Sequence, residues 1–199
     1  SEGIRFTNAY ASCTVCSPTR ASLLTGKNPV AVNITDWIPG KQHNRGPKPS
    51  EKFIVPEFSN HLELEEIAMT ERLKEAGYKN ISIRKWHLGG EGYLPTDQGF
   101  DINIAGNHKG MPPSYYYPYK AERFNFEITH LELGKDSLYL TDRLGNEAVQ
   151  FIENHADSLF FMYLPFYTVH TPWEGRPDLV NKYNVLLEKN NDTLVRDPH

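Results

Sequence analysis

The residues best suited to chemistry stand together in one short stretch near the start of the chain, from Cys16 to Lys27. Pro18 and the helix-compatible run that ends at Gly26 predict a helix here, because proline favours the first turn of a helix and glycine the position just past its end. Cys16 would then lie at the helix N-terminus, where free backbone N–H groups and the helix dipole attract an anion. Arg20, on the first turn, would add a fixed positive charge. The stretch therefore predicts a site for an oxyanion beside Cys16.

The cysteines are also compatible with other chemistry. Cys13 and Cys16 form a C-x-x-C pair, the pattern of a redox couple, of half a zinc site or of a disulfide. They are the only two cysteines of the chain, and a structural zinc site needs further ligands. A phosphatase loop of the C-x5-R type does not fit, because Arg20 comes too early after Cys16 and one residue too late after Cys13.

The stretch resembles the C-x-P-x-R-x-x-x-L-T-G signature of the type I sulfatases, of the arylsulfatase or N-acetylgalactosamine-6-sulfatase kind. The matching residues are Cys16, Pro18, Arg20, Leu24, Thr25 and Gly26. The resemblance implies that a maturation enzyme oxidises Cys16 to Cα-formylglycine, whose hydrated aldehyde is the nucleophile. It also implies a divalent cation, Ca²⁺, with the modified Cys16 among its ligands. Arg20 would help to hold the sulfate.

A second motif follows a predicted strand and resembles G-Y-x-T-x-x-x-G-K-W-H-L-G of the same family. The matching residues are Gly77, Tyr78, Lys85, Trp86, His87, Leu88 and Gly89. By resemblance, Lys85 bridges the sulfate and the formylglycine, and His87 hydrogen-bonds a formylglycine hydroxyl. Arg84 stands where the family has glycine, which predicts either a different backbone at this position or a cation that faces solvent.

Two further histidines are candidate substrate contacts. His170, in His170-Thr171-Pro172, follows an apolar run and resembles the family's strand-then-H-x-P pattern, in which the histidine assists departure of the leaving alcohol. His108 lies in a glycine- and proline-rich segment that precedes three tyrosines, 115–117. Aromatic residues there are compatible with stacking on a sugar or with plain packing.

Alternating helices and strands must position these residues, which predicts an α/β fold with a largely parallel sheet flanked by helices. The resemblance implies the alkaline-phosphatase-like sulfatase fold. Three strands are predicted: over Ile4 to Ala11, over Asn80 to Ile83, and over Leu159 to Phe166, the last of them buried on both faces. One helix is predicted to start between Glu63 and Ala68 and to end at Gly77. A second helix is predicted over Leu138 to His155, capped by Thr141, with an apolar face formed by Leu144, Ala148, Phe151 and Ile152. A long surface excursion is expected from Lys27 to Pro56.

Composition limits the classes of partner. The 199 residues are 39% hydrophobic, with a net charge of -4 and a pI near 6.1. This charge argues against a nucleic-acid partner, which selects basic surfaces, and no apolar run is long enough for a transmembrane segment. We expect residues 1–199 to be the N-terminal portion of one sulfatase catalytic domain, because the Asp-Asp and Asp-Asn-Gly metal motifs of the family are not found in suitable places. By resemblance, the location would be periplasmic, secreted or lysosomal.

The function implied is hydrolysis of a sulfate ester, with a sulfated carbohydrate as substrate. One hydroxyl of the hydrated aldehyde would attack sulfur while His170 protonates the leaving oxygen, and loss of a proton from the other hydroxyl to His87 would expel sulfate. Two alternatives stay open. One is a formylglycine-dependent phosphonate or phosphate ester hydrolase, and the other is a non-catalytic binder of sulfated glycans.

Overall fold

A three-stranded parallel sheet lies at the centre of the computed structural model, which describes residues 3–38, 56–126, 128, 131 and 138–189. The strands are β1 (Lys79–Ile83), β2 (Ile102–Ile104) and β3 (Phe160–Tyr163), in the order β2-β1-β3. Ile81 of β1 pairs with Ile102 of β2 on one side and with Met162 of β3 on the other. Because all three strands point the same way, their carboxyl ends lie at one edge of the sheet, which is where ligands bind in open α/β folds.

Four α-helices accompany the sheet within the described ranges: α1 (Cys16–Thr25), α2 (Met69–Glu75), α3 (Leu140–Asn154) and α4 (Pro177–Lys189). A 3-10 helix covers Pro95–Gln98. None of the described helices has the length and apolarity needed to cross a membrane. The α/β class with a parallel sheet is therefore confirmed.

The apolar residues form two clusters. One joins α3 to the sheet and contains Ile81, Ile83, Leu140, Leu144, Ala148 and Phe151. The other joins α1 to the residues that follow β1 and contains Ala21, Leu24, Trp86, Leu88, Phe100 and Tyr163. The second cluster fixes α1 against the carboxyl-end edge of the sheet, because Trp86 immediately precedes His87 in the segment that follows β1.

The ends of α1 and α2 follow the glycine signals in the sequence. Gly26 closes α1 with φ 70°, and its N–H donates to the carbonyl of Ser22. Gly77 follows α2 with φ 84°. Both glycines adopt the left-handed conformation, which side chains with a Cβ disfavour.

Three expectations about individual elements are wrong. Residues 4–11 form no strand, and Ile4, Phe6 and Tyr10 are exposed, because alternation alone supplies no neighbouring strand for their backbone groups. Thr141 does not cap α3, since it lies inside the helix and Tyr139 precedes the first turn. Ile152 is 45% exposed and does not share the buried face of that helix.

The strand β3 lies where the apolar run predicts it, but it is only partly buried. Phe160, Phe161 and Met162 are half-buried, and Tyr163 is the one buried residue of the strand. β3 has a neighbour on one side alone among the described strands, whereas the central strand β1 is buried in four of its five residues. Most of the expected excursion from Lys27 to Pro56 lies outside the described residues, which omit 39–55.

Arg84 is buried, with 1% of its surface exposed, so of the two alternatives for this position the solvent-facing cation is wrong. Its φ is 95°, a backbone conformation that favours glycine. One Nη donates to the carbonyl of Thr141, and the guanidinium lies 3.7 Å above the ring of Phe166. Burial lowers the pKa of Arg84 to about 10. Arg84 thus ties the end of β1 to α3 and to the segment after β3.

Candidate active site

The carboxyl ends of the parallel strands bring the sequence-predicted residues to one edge. Lys85 and His87 follow β1, His108 follows β2 and His170 follows β3. Cys16 begins α1, which packs beside this edge. No side chain caps the N-terminus of α1 and its first turn carries no acidic residue, so its electrostatics favour an anion.

Cys16 and His87 are in direct contact. The Sγ of Cys16 lies 3.2 Å from Nδ1 of His87. The other ring nitrogen, Nε2, lies 2.7 Å from the carbonyl oxygen of Ile38. A carbonyl only accepts, so Nε2 carries the hydrogen and Nδ1 presents its lone pair to Cys16. His87 is thereby oriented as a proton acceptor for a group at position 16.

His87 stays neutral near pH 7. Burial is the main cause that lowers its pKa to about 4, and the charges of Lys85, Arg20 and Lys109 act in the same direction. The bond to the Ile38 carbonyl acts in the opposite direction. A neutral imidazole with a free lone pair at Nδ1 is the form that a general base requires.

Ser17 joins α1 to the segment after β1 and to the backbone of Ile38. Its hydroxyl donates to the carbonyl of His87 at 3.0 Å and accepts from the backbone N–H of Ile38 at 3.1 Å. Ser17 is fully buried. The first turn of α1 is therefore fixed to the backbone on both sides of the His87 ring.

Lys85 places a buried cation beside Cys16. It is 4% exposed, and its ammonium lies close enough to Cys16 for the two side chains to interact electrostatically. Burial is the largest influence on the Lys85 ammonium and lowers its pKa; proximity to Cys16 opposes this, while Arg20 reinforces it. A compact ammonium in this place suits one oxygen of an oxyanion.

Arg20 lies beside Lys85 and contacts its backbone. Nη1 of Arg20 donates to the carbonyl of Lys85 at 2.7 Å and to the hydroxyl of Tyr163 at 3.1 Å. Arg20 thus links α1 to the segment after β1 and to β3. A role in holding an anion stays a prediction for Arg20.

His170 lies at the same edge, on the exposed segment after β3. Its Nδ1–H donates to the carbonyl of Thr171 at 3.1 Å, which leaves Nε2 for a second partner. Partial shielding of the ring is the main cause that lowers the pKa of His170; the bond to the Thr171 carbonyl opposes this, and the positive charge of Lys85 adds to the lowering. His170 is therefore close enough to Lys85 for that ammonium to influence its pKa.

His108 is exposed, and burial of part of its ring together with Lys109 and His87 lowers its pKa. It lies near the site without a described contact to Cys16. The tyrosines that follow it are largely packing residues, since Tyr115 is 2% exposed and stacks on Tyr139 at 5.7 Å between ring centroids.

No group of three or more His, Cys, Asp or Glu side chains in the described part of the chain is arranged to hold a metal ion. A complete Ca²⁺ site is therefore not formed by these residues.

Four residues at the site escaped the sequence reasoning. Tyr163, Ser17, Ile38 and Gly110 each contact a predicted site residue: Tyr163 contacts Arg20, and the other three contact His87. The contacts of Ile38 and Gly110 involve backbone, which no residue pattern reveals. Ser17 lies within the Cys16 motif and Tyr163 within the apolar run over Leu159 to Phe166. Their hydroxyl groups are the one feature of the sequence that indicates hydrogen bonds to neighbouring site residues.

Comparisons with known proteins point to one family. A family model described as Sulfatase matches residues 1–193. The chain is 32% identical over 193 residues to Arylsulfatase of Hemicentrotus pulcherrimus, which covers 85% of this chain and 31% of that protein. It is 30% identical over 210 residues to Arylsulfatase G of Rattus norvegicus, covering 91% of this chain and 37% of that protein. The chain thus spans about a third of the length of these relatives.

Solved structures share the fold. Ps i-CgsB is 25% identical with a TM-score of 0.63, over 89% of this chain and 40% of that chain. BT33336S-sulf, described in connection with the metabolism of multiple glycosaminoglycans by Bacteroides thetaiotaomicron, is 25% identical with a TM-score of 0.58, over 91% of this chain and 47% of that chain.

Proposed function

Because this chain belongs to the sulfatase family, we propose that the site around Cys16 hydrolyses sulfate esters in the full-length protein. One observation carries the proposal: the Cys16 side chain faces the lone pair of His87 at 3.2 Å, and the buried ammonium of Lys85 is close enough to interact with it electrostatically. In this proposal the nucleophile, the proton acceptor and the cation that binds the anion lie together at the N-terminus of α1.

The proposed substrate class is a sulfated carbohydrate. Support comes from BT33336S-sulf, which is connected with glycosaminoglycan metabolism and shares this fold over 91% of the chain. The cationic side chains at the site, Lys85 and Arg20, suit a sulfate group. We further propose that the protein acts in the periplasm, outside the cell or in a lysosome, and that a maturation enzyme converts Cys16 to Cα-formylglycine.

The modification explains why a cysteine occupies this position. The hydrated aldehyde supplies two hydroxyl groups on one carbon, so that one displaces the alcohol at sulfur and the other drives release of sulfate. A serine or an unmodified cysteine lacks the second hydroxyl. Cys16 is therefore the precursor of the nucleophile.

His87 would accept the proton during release of sulfate. Its Nδ1 lone pair faces position 16, and the Ile38 carbonyl holds the hydrogen on Nε2. The lowered pKa keeps this nitrogen free at neutral and mildly acidic pH. Proton transfer by a positioned side chain contributes about 10²- to 10⁴-fold to a rate.

His170 would hold the proton that the leaving alcohol receives. Its Nδ1–H is occupied by Thr171, so the proton for transfer sits on Nε2 of the imidazolium. Since the pKa of His170 is lowered, this imidazolium is populated in acidic solution. The step matters for alcohols that leave poorly without a proton.

Lys85 and Arg20 would bind and orient the sulfate oxygens, and His108 would contact the substrate from the exposed side. A divalent cation, proposed as Ca²⁺ from the family, would add positive charge at the same group. Only Cys16 among the described residues is proposed as its ligand.

The test compares ester classes on the matured full-length protein. We expect hydrolysis of an aryl sulfate and slow or no hydrolysis of the corresponding aryl phosphate. Cys16→Ala should abolish turnover while the protein stays folded. Cys13→Ala is the matched control and should retain activity, because the hydrogen bonds of Cys13 to Thr19 involve its backbone.

Faster hydrolysis of the phosphate would instead establish a phosphate ester hydrolase. Binding of a sulfated glycan without turnover, with an unmodified Cys16, would establish a non-catalytic binder. Substantial sulfatase activity in Cys16→Ala would contradict the assignment of the nucleophile.

A further inference from the structure

Gly110 lies directly against the ring of His87. A Cβ atom added to Gly110 would come within 2.5 Å of Cε1, 2.7 Å of Nδ1 and 3.1 Å of Nε2 of that ring. Ordinary van der Waals contact of a Cβ begins near 3.4 Å. The absence of a side chain at Gly110 is therefore what allows the imidazole to occupy its place.

The ring of His87 has little freedom to move away. Its Nε2–H donates to the carbonyl of Ile38, and Nδ1 faces Cys16. The backbone N–H of His87 donates to the carbonyl of Asn107 at 3.0 Å, which ties the segment carrying Gly110 to His87 itself. A methyl group added between Gly110 and the His87 ring must stretch at least one of these contacts.

The backbone of Gly110 does not require glycine. The glycines with positive φ in the described chain are Gly26, Gly77, Gly89, Gly92 and Gly99, and Gly110 is not among them. Alanine is thus acceptable to the backbone at this position. The steric demand comes from the His87 ring.

We infer that Gly110 is a positioning residue for His87: its bare backbone sets the distance between Nδ1 and the reacting group at position 16. The inference rests on the proposed function for its kinetic consequences, whereas the steric contact stands on geometry alone. No role in touching substrate is assigned to Gly110.

The experiment starts with Gly110→Ala in the matured full-length protein. Restoring ordinary contact displaces the ring by about 1 Å, and a misplacement of that size costs about 100-fold in rate. Because His87 acts after the alcohol has left, kcat and KM for an aryl sulfate should fall together by about 100-fold, and kcat/KM should change little. A burst of alcohol equal to the enzyme concentration should precede the slow steady state.

A double-variant cycle separates this effect from general damage. Once the ring is removed in His87→Ala, the added methyl group has nothing to displace, so Gly110→Ala should cause no further loss of kcat in that background. The same cycle is measured on the melting temperature, which needs no activity: Gly110→Ala should destabilise the protein with His87 present and much less with His87→Ala. Gly145→Ala is the control, since a Cβ at that position meets nothing within 4 Å apart from its chain neighbours and the backbone of its own helix.

Each outcome decides the inference. If Gly110→Ala fails to fold and His87→Ala restores folding of the double variant, the contact is established; if the double variant also fails, the ring is not the obstacle. A kcat within twofold of the parent, or losses that multiply in the double variant, would overturn the positioning role. If the parent protein hydrolyses no sulfate ester, the proposed function fails, while the melting-temperature cycle still tests the contact.

Discussion

The two histidines should give opposite pH dependences on two kinds of sulfate ester. The rates on both esters are measured as the pH is varied from about 3.5 to 8.5. His170 must be protonated to assist a poor leaving group, so its contribution is present below its pKa and is lost as the pH rises through that value. His87 must be neutral to accept a proton, so its contribution is present above its pKa and is lost as the pH falls through about 4.

The magnitudes follow from the surroundings of each ring. The pKa of His170 is lowered from its ordinary value of 6.5 by shielding, Lys85 and His87. At pH 8 the protonated fraction is then about 3% or less, so kcat/KM on a sugar sulfate should be at least about 30-fold below its acidic maximum. On a nitrophenyl sulfate, whose alcohol leaves without a proton, kcat should stay flat from neutral pH down to about pH 5 and then fall towards half at about pH 4.

The assay is the initial rate on both esters at constant ionic strength, with His170→Ala as the matched variant. Loss of His170 should remove the decrease of kcat/KM above pH 6.5 on the sugar sulfate and leave the profile on nitrophenyl sulfate unchanged. A rate on the sugar sulfate that rises through pH 6.5 to a plateau near pH 8 would contradict the role of His170 as a proton donor, because neutral His170 would then be the active form.

Three further predictions concern single side chains. His87→Ala should slow sulfate release about 100-fold or more on activated and unactivated esters alike, measured as kcat, whereas a loss confined to the unactivated ester would reverse the two histidine roles. Tyr163→Phe should lower the free energy of unfolding by about 1–3 kcal/mol, because a partly buried N–H of the charged Arg20 loses its acceptor; an unchanged denaturation midpoint would show that this bond contributes nothing. Leu144→Ala, at a fully buried position of α3, should cost about 2–5 kcal/mol in the same assay, and a loss below 1 kcal/mol would contradict the packing of α3 on the sheet.

Features with local signals were predictable from the sequence. Pro18 and Gly26 bracket α1, and Gly77 ends α2, because backbone preferences of these residues act within a few positions. The apolar run that begins at Leu159 predicts β3, because a continuous apolar stretch of this length is likewise a local signal. The residues that follow β1 and β3 lie at one edge because parallel strands share it, and the packing of α1 beside this edge brings Cys16 to His87.

Features that depend on distant partners were not predictable. The alternation over residues 4–11 indicates a strand, yet a strand needs a paired neighbour, and none pairs with this segment in the described chain. Tyr163 lies 143 residues from Arg20, so their bond is invisible without the fold. The Ile38 carbonyl that fixes the tautomer of His87 is a backbone group that every residue type possesses.

Arg84 shows how tertiary contacts override a residue's usual preference. A charged residue normally remains exposed, and a residue with a Cβ normally avoids φ near 95°. Here the Thr141 carbonyl and the Phe166 ring bind the guanidinium at the end of β1. These partners come from two other segments, which explains why a pattern within one segment could not reveal them.

The most direct test of the central claim is the mass of the peptide that contains Cys16, isolated from the full-length protein made together with a formylglycine-generating enzyme. We expect a lower mass than the cysteine peptide, trapping of the aldehyde by a hydrazine reagent, and sulfatase activity in proportion to the converted fraction. An unmodified Cys16 in a preparation that hydrolyses sulfate esters at full rate would contradict the account.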